Sequence, residues 1–378
     1  MKGSFKKESK REGQTWMFRV DIGLDERGKR RQATRRGFKT RKEAEEACNQ
    51  IIHQVTKGTF VEPAKCTLRT YLLDWIESTA KQRVRLKTYD SYKYIIDNKL
   101  IPELGNIPLD KLTPMHIQNF YAKKSSEGLS AEYIKHMHVI LSSSLEQAVA
   151  WKLIRSNPVK LTSPPKISHK EQKTWSIEEA KIFLSHTEQH PLHIAYLLAI
   201  YTGMRMGEIL GLRWEDCDLE NKMIRIRQGL SCTSEGTIFE DPKSKASRRA
   251  IAITENIVDA LEKRQREQKR NKKRLGQAYQ ENNLVVCTKK GTPIGPSNLR
   301  RHFWSTIEKS GVTRIRFHDT RHTHATIMLT LGEHPKVVSE RLGHSKTSIT
   351  LDVYSHVMKS IQEDAAQNFS NAFQTAQA

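Results

Sequence analysis

The chain has 378 residues, with 64 Lys and Arg against 42 Asp and Glu for a formal net charge of +22, a balance that points to a polyanionic partner. No apolar run approaches the roughly 18–20 residues needed to span a bilayer, and the basic N-terminus MKGSFKKESKREGQTW lacks the apolar stretch of a secretory signal, so membrane insertion and export are not expected. Five scattered cysteines, Cys48, Cys66, Cys217, Cys232 and Cys287, fit a reducing cytosol better than a disulfide framework, and 37% hydrophobic content over this length supports two or three domains with ordinary cores.

Residues 1 to about 60 read as a small basic module. Trp16, Phe18, Val20 and Ile22 alternate with Met17, Arg19 and Asp21, DERGKR reads as a turn and RRQATRRGF as a following strand. Thr40 has the character of an N-cap, with Glu43 placed to complete a capping box ahead of the helix RKEAEEACNQIIHQVTKG. A short sheet backed by one helix and carrying Arg19, Arg30, Arg31, Arg35 and Arg36 can lay strands in a DNA groove. The plainer alternative is a solvated basic face without sequence preference.

Residues 66 to about 160 read as mostly helical. Leu68, Leu72 and Trp75 share one helix, Tyr92 to Ile96 lie on a second, and IPELGNIPLDKLTP, with its prolines and glycine, reads as a loop. Thr113 and Pro114 open another helix, and Ser130 caps the longest, within GLSAEYIKHMHVILSSSLEQAVAWKLI. The stretch SNPVKLTSPPKISHK, from Ser156 to Lys170, has no apolar period and three prolines, which marks a linker.

A further domain is expected from Thr174 onward, opening with the capped helix WSIEEAKIFL. In TGMRMGEILGLRW, Arg205 follows Thr-Gly where a helix begins, beside backbone N–H groups that favour anions. Between Met223 and Ile253, IRIRQ and RRAIAI alternate as strands do, and the turn DPKSKAS carries Lys243 and Lys245. The basic run Lys263 to Arg274 reads as a solvated helix face that can add phosphate contacts, and Ser297 to Ser310 as a helix ending at Gly311. The stretch FHDTRHTHATIMLTLGEHPKVVSERLGHSKTSITLDVYSHV then concentrates His318, Arg321, His344 and Tyr354. Its spacing predicts a helix after Arg321 that stops at Gly332, a second from Pro335 to Gly343, and a third on which Ile349, Val353 and Val357 form the apolar side and Tyr354 the neighbouring face. His318, His322 and His324 cannot all share one helical face, and no carboxylate or cysteine pattern accompanies them, so a metal is not expected.

Arg205, Lys245, His318, Arg321, His344 and Tyr354, in this order and at these spacings, resemble the active-site set of the tyrosine recombinases, the phage-type integrases. The lysine is the least fixed of the six, because Lys243 would share a strand face with Lys245. The resemblance implies that Arg205 and Arg321 clamp the non-bridging oxygens of a scissile phosphate, that Tyr354 attacks it, that Lys245 protonates the leaving oxygen, and that His318 and His344 assist proton transfer and phosphate binding. It implies a 3′-phosphotyrosine intermediate, a free 5′-hydroxyl and a Holliday junction. Neither ATP nor a metal is called for, and no phosphate loop or Mg²⁺-binding acidic pair is found in the sequence.

The fold class expected on this basis is α+β and multidomain. An arm-type DNA-binding domain at 1–62 would hold a small three-stranded sheet plus a helix, a helical core-binding bundle would occupy 66–160, and a linker 161–173. A mainly helical catalytic domain with a small sheet would follow at 174–378. The implied partners are double-stranded attachment-site DNA at core and arm sequences, three further copies of the chain in a synaptic tetramer, and an accessory DNA-bending or excision protein. The implied setting is the bacterial cytoplasm, at the nucleoid. Ile361, Ala365, Phe369 and Phe373 stripe a C-terminal helix that in this family often docks on a neighbouring protomer. A chromosome-dimer resolvase, a type IB topoisomerase and a non-catalytic DNA-binding regulator of the same fold are the alternatives. The basic N-terminal module argues against the first, the arm and clamp organisation against the second, and the filled catalytic positions against the third.

Overall fold

In the computed structural model, residues 3–10, 13–24, 28–57, 60, 66–168, 173–242, 247–348, 350–351 and 369–371 are described. Lys243, Lys245, Tyr354 and most of the C-terminal stripe lie outside them. Residues 1–169 and 170–378 form two compact units. None of the described helices is long and apolar enough to cross a membrane.

The first unit opens with an antiparallel sheet in the order β1 (Ser4–Lys10), β2 (Gly13–Leu24), β3 (Arg30–Phe38), followed by α1 (Arg41–Thr56). Alternation along β2 sends Phe18 and Val20 into a small core with Ala33, Ala44 and Cys48. Gly37, at φ +93°, absorbs the extra residue of a bulge opposite Trp16 and Met17, which brings Phe38 into register to stack on Phe18 at 5.5 Å. The capping box differs from expectation. Thr40 Oγ1 accepts from the Glu43 amide at 3.2 Å, but the Glu43 carboxylate accepts from Lys39 N at 3.0 Å rather than from the cap residue itself.

The rest of this unit is helical: α2 (Leu68–Trp75), α3 (Lys81–Arg83), α4 (Leu86–Ile95), α5 (Ile101–Leu104), α6 (Pro114–Ser126) and α7 (Ala131–Ala150). Single π-helical turns at Ile76–Ala80 and Ile96–Leu100 carry α2 into α3 and α4 into α5. Part of the expected loop at IPELGNIPLDKLTP is therefore helix, because the π turn at Ile96–Leu100 runs directly into Ile101–Leu104, with Pro102 just after it. Thr113 and Ser130 cap α6 and α7 as their sequence predicts. The beginning of the proline-rich stretch is not a free linker. The Asn157 side chain caps a 3₁₀ turn at Pro158–Leu161 and also donates to Ser142 O at 2.9 Å, which seats Val159 in the helical core.

The second unit holds α8 (Ile177–Ser185), α9 (His193–Thr202), α10 (Met206–Leu210), a three-stranded sheet and a hairpin, then α11 (Glu255–Leu275), α12 (Pro296–Ser310), α13 (Asp319–Thr330) and α14 (Pro335–Leu342). The sheet has the order β4 (Cys217–Asp218), β5 (Met223–Ile226), β8 (Arg249–Ala252), and β6 (Gly229–Thr233) pairs with β7 (Gly236–Glu240) between β5 and β8. IRIRQ and RRAIAI do pair, Ile224 facing Ile251, but a second hairpin intervenes between them. Helix α9, HIAYLLAIYT, is apolar all round and runs through the core. Its Tyr196 joins Trp175, Phe183, Phe303 and Phe317 in one edge-and-face aromatic cluster, which fixes the chain immediately ahead of His318. The basic face of α11 is not wholly solvated: the buried Arg264 guanidinium donates to Val285 O and Cys287 O at 3.2 and 2.7 Å, and Gln268 is buried beside it.

Candidate active site

Four of the six residues singled out by sequence lie among the described residues of the second unit, and the fold gathers them around two backbone turns. The first turn ends α9 at Gly203, where φ is +64°. A Cβ there would stand 2.6 Å from Leu342 Cδ2 and 2.8 Å from His324 Cδ2, so only glycine lets the two turns approach. The second ends α14 at Gly343, also left-handed at φ +68°, and presents His344.

Arg205 caps α10 and reaches across to the second turn. Its Nη1 donates to Glu208 Oε1 at 2.8 Å and its Nη2 to Gly343 O at 3.1 Å, while its backbone N–H donates to Glu208 Oε2 at 2.9 Å. Arg321, in the first turn of α13 and 3% exposed, bridges both turns, donating Nη1 to Gly203 O at 2.8 Å and Nη2 to Leu342 O at 2.5 Å. The two guanidiniums, distant in sequence, thus meet at the second turn, on the successive carbonyls of Leu342 and Gly343. Glu208 and Gly343 take two of the five N–H donors of Arg205, a side chain still 37% exposed.

The histidines are kept neutral. His344 Nδ1 lies 2.8 Å from the buried Thr350 hydroxyl, and burial, then the Arg321 and Arg205 charges, push its pKa down to about 4. His318 begins α13 with one edge open to solvent. Partial desolvation and then the charge of Arg321 lower its pKa, with Asp319 opposing. His322, ring to ring with His318 at 5.3 Å, is lowered to about 4 by burial and then by His318. His324 points away from this group: its Nδ1 meets Ile200 O at 2.9 Å and Arg341 Nε lies 3.2 Å from its Nε2, so it serves packing. Among the described residues no group of three or more His, Cys, Asp or Glu is arranged to hold a metal ion.

The sequence reading missed the carboxylate beneath the arginines. Glu208 is buried between Arg205 and Arg249, whose Nη1 and Nη2 donate to it at 3.1 and 2.9 Å. Burial raises its pKa, but the Arg249 hydrogen bonds and the two arginine charges outweigh this and hold it ionised. Its position three residues after Arg205 is the spacing of a capping carboxylate, a signal legible in hindsight. Arg249 gave no signal, since one more arginine in a basic strand looks like a solvated one. Asp319 is likewise held ionised by Arg316 against the opposing effect of burial, with Nη2 to Oδ1 at 2.7 Å. The site thus brings together two guanidiniums fixed by hydrogen bonds and two imidazoles of lowered pKa, residue types whose chemistry suits a phosphodiester.

In the arm-like sheet, register places Arg19 and Arg36 on the face away from α1, whereas Arg35 lies opposite Phe18 on the helix side and is half-buried. Arg36 pairs with Glu8 at 3.4 Å, and Arg30 and Arg31 are exposed at the β3 entrance. The five arginines do not share one face, because neighbours in a strand point to opposite sides.

Three family descriptions match the chain: the phage integrase family over residues 176–360, the phage integrase N-terminal SAM-like domain over 67–125, and an arm DNA-binding domain over 4–55. The chain is 32% identical to a protein named "Tyrosine recombinase XerC-like" from Caldanaerobacter subterraneus subsp. tengcongensis, over 94% of this chain and 95% of that one. It is 26% identical to the ICEBs1 integrase of Bacillus subtilis, over 94% and 97%. In fold it is similar to the Tn1549 transposon integrase solved with circular intermediate DNA, with TM-score 0.68, 19% identity and coverage of 80% of this chain and 100% of that one. It is also similar to the lambda integrase solved as a tetramer on a Holliday junction, with TM-score 0.59, 19% identity and coverage of 89% and 91%.

Proposed function

The chain belongs to the tyrosine recombinase family and is a site-specific DNA recombinase of the integrase class, and from this premise we propose how its residues carry the reaction. Arg205 and Arg321 bind the two non-bridging oxygens of the scissile phosphate and neutralise the charge that grows on the phosphorane-like transition state. The Tyr354 oxygen forms a bond to phosphorus as the bond to the 5′-oxygen breaks. The tyrosine proton passes to His318, which its surroundings keep unprotonated and receptive. Lys245 supplies the proton that leaves with the 5′-hydroxyl. The tautomer of His344 that accepts from the Thr350 hydroxyl at Nδ1 carries its proton on Nε2, from which it donates to the phosphate. The phosphoester energy stays in the 3′-phosphotyrosine, so a 5′-hydroxyl from a partner strand reseals the backbone through a Holliday junction without ATP or metal.

The observation that carries this reading is the convergence of Arg205 and Arg321 on the Gly203 and Leu342–Gly343 turns beside His344. It is supported by the order of chain segments, which we assign as arm-binding 1–62, core-binding 66–160, linker 161–173 and catalytic 174–378. In this reading the enzyme recombines the attachment sites of a mobile element as a tetramer, with an accessory DNA-bending or excision protein, at the nucleoid in the cytoplasm. The arm-domain match favours it over a chromosome-dimer resolvase.

The test is a suicide substrate, nicked near the crossover of the element's own attachment DNA. In EDTA and without ATP, the wild type is expected to form a covalent protein–DNA adduct that Tyr354→Phe cannot form. No adduct from the wild type with binding intact would move the protein to a regulator of the same fold, and an adduct persisting in Tyr354→Phe would give the nucleophile to another residue.

A further inference from the structure

Three successive carbonyls at the end of α14 accept from three arginines belonging to three different elements. Arg341 O accepts from Arg249 Nε at 2.6 Å, Leu342 O from Arg321 Nη2 at 2.5 Å, and Gly343 O from Arg205 Nη2 at 3.1 Å. The last carbonyls of a helix have no partner within it and carry the negative end of its dipole, so they collect cations. The next residue is His344. Two of the three arginines are assigned to the phosphate; the third, Arg249, is not used by the reaction as written.

The Arg249 side chain is 6% exposed, and its guanidinium is taken up by protein partners. Besides the Ser247 carbonyl at 3.3 Å, it spans two partners from other elements. One edge meets both oxygens of Glu208, at 3.1 and 2.9 Å, and Glu208 in turn holds Arg205; its Nε meets the carbonyl of Arg341. Arg249 also opens β8, four residues beyond Lys245 in sequence, and so pins the strand that follows the lysine-bearing segment.

We propose that Arg249 is a positioning residue of DNA cleavage, which sets Arg205 through Glu208 and sets the turn presenting His344 through the Arg341 carbonyl. The inference rests on the recombinase reading of the site. A planar guanidinium can bind a carboxylate with two donors and a carbonyl with a third at once; an ammonium, a single compact charge, cannot. Small displacements of groups that meet a reacting phosphate are costly, on the order of 100-fold in rate for about 1 Å.

The experiment compares full-length wild type, Arg249→Lys and Arg249→Ala in three measurements: single-turnover adduct formation on the suicide substrate, affinity for the same DNA in a Tyr354→Phe background, and thermal melting. Arg249→Lys is expected to bind DNA within about threefold of wild type and to melt within a few degrees of it, while adduct formation falls about 100-fold. Methylguanidinium added to Arg249→Ala is expected to restore about tenfold or more of the lost rate, because it fits the vacated space. Should the alanine variant fail to fold, the double variant Glu208→Gln with Arg249→Lys replaces it. There the combined loss is expected to match either single loss, as for two groups acting as one unit. Cleavage by Arg249→Lys near the wild-type rate would overturn the proposal. So would losses of affinity, melting temperature and cleavage in step without guanidinium rescue, or additive losses in the double variant. A wild type that forms no adduct would overturn the recombinase reading and the proposal together, whereas an unchanged Arg249→Lys beside an active wild type overturns the positioning role alone.

Discussion

Among single residues, His324 has the largest stake in pH. Free imidazoles take up a proton near pH 6.5, but burial first, and the Arg341 charge second, push His324 down to about 3 in the folded chain. Below pH 6.5 the unfolded state therefore binds more protons than the folded one. The stability contribution is fully present above pH 6.5 and is lost as the pH falls towards 3, at up to about 1.4 kcal/mol per pH unit for this residue. His344, His322 and His302, each lowered to about 4 chiefly by burial, act in the same direction. Urea melts at pH 7.5, 6.0 and 5.0 are expected to show falling midpoints, with a shallower fall in His324→Gln; midpoints independent of pH across this range would refute the assignment. In the proposed complex a phosphate between Arg205 and Arg321 would act the other way on His344, because it would offset the arginine charges that add to burial in lowering its pKa.

At the level of elements, the N-terminal sheet and α1 stand on a very small core. Phe18 is fully buried, stacks on Phe38 and lies 6.2 Å from Phe5, so it anchors all three strands. Phe18→Ala removes about 3–5 kcal/mol, more than a module of this size can spare. The expected result is rapid proteolysis within residues 3–57 and loss of the band shift on arm-type repeats. Adduct formation on a suicide substrate carrying core sequence alone is expected to persist. Retention of arm-repeat binding by this variant would show that the sheet is not the reader. In the second unit, α14 is legible in local pattern, from Pro335 at its start to Gly343 at its end, and so is the helix start at Arg205. What the last turn of α14 binds is not legible there, because hydrogen-bond partners such as Arg249 and Arg321 arrive from segments about 90 and 20 residues away.

For the molecule as a whole, a formal charge of +22 makes DNA affinity a matter of counterion release. A plot of log affinity against log salt, between 100 and 300 mM, is expected to be linear with a slope steeper than about −6. Arg30→Ala and Arg36→Ala are each expected to make it about one unit shallower on arm DNA. A flat plot would remove the electrostatic basis of the interface. The order of the chain, its helical bundle, the caps at Thr113, Ser130 and Ser176, and the family likeness were all written in local pattern, since periodicity and capping depend on near neighbours. The burial of Arg264 in a run that reads as solvated, the helical turn inside a proline-rich loop, and the distribution of Arg19, Arg35 and Arg36 over both faces of a sheet were not. By itself the sequence determined which residue types are present to handle a phosphate and in what order. Only the tertiary structure decided that Glu208 and Arg249 lie beneath them and that the α14 carbonyls hold three arginines in register, because a buried charge is assigned its partner by packing in three dimensions and not by its neighbours along the chain.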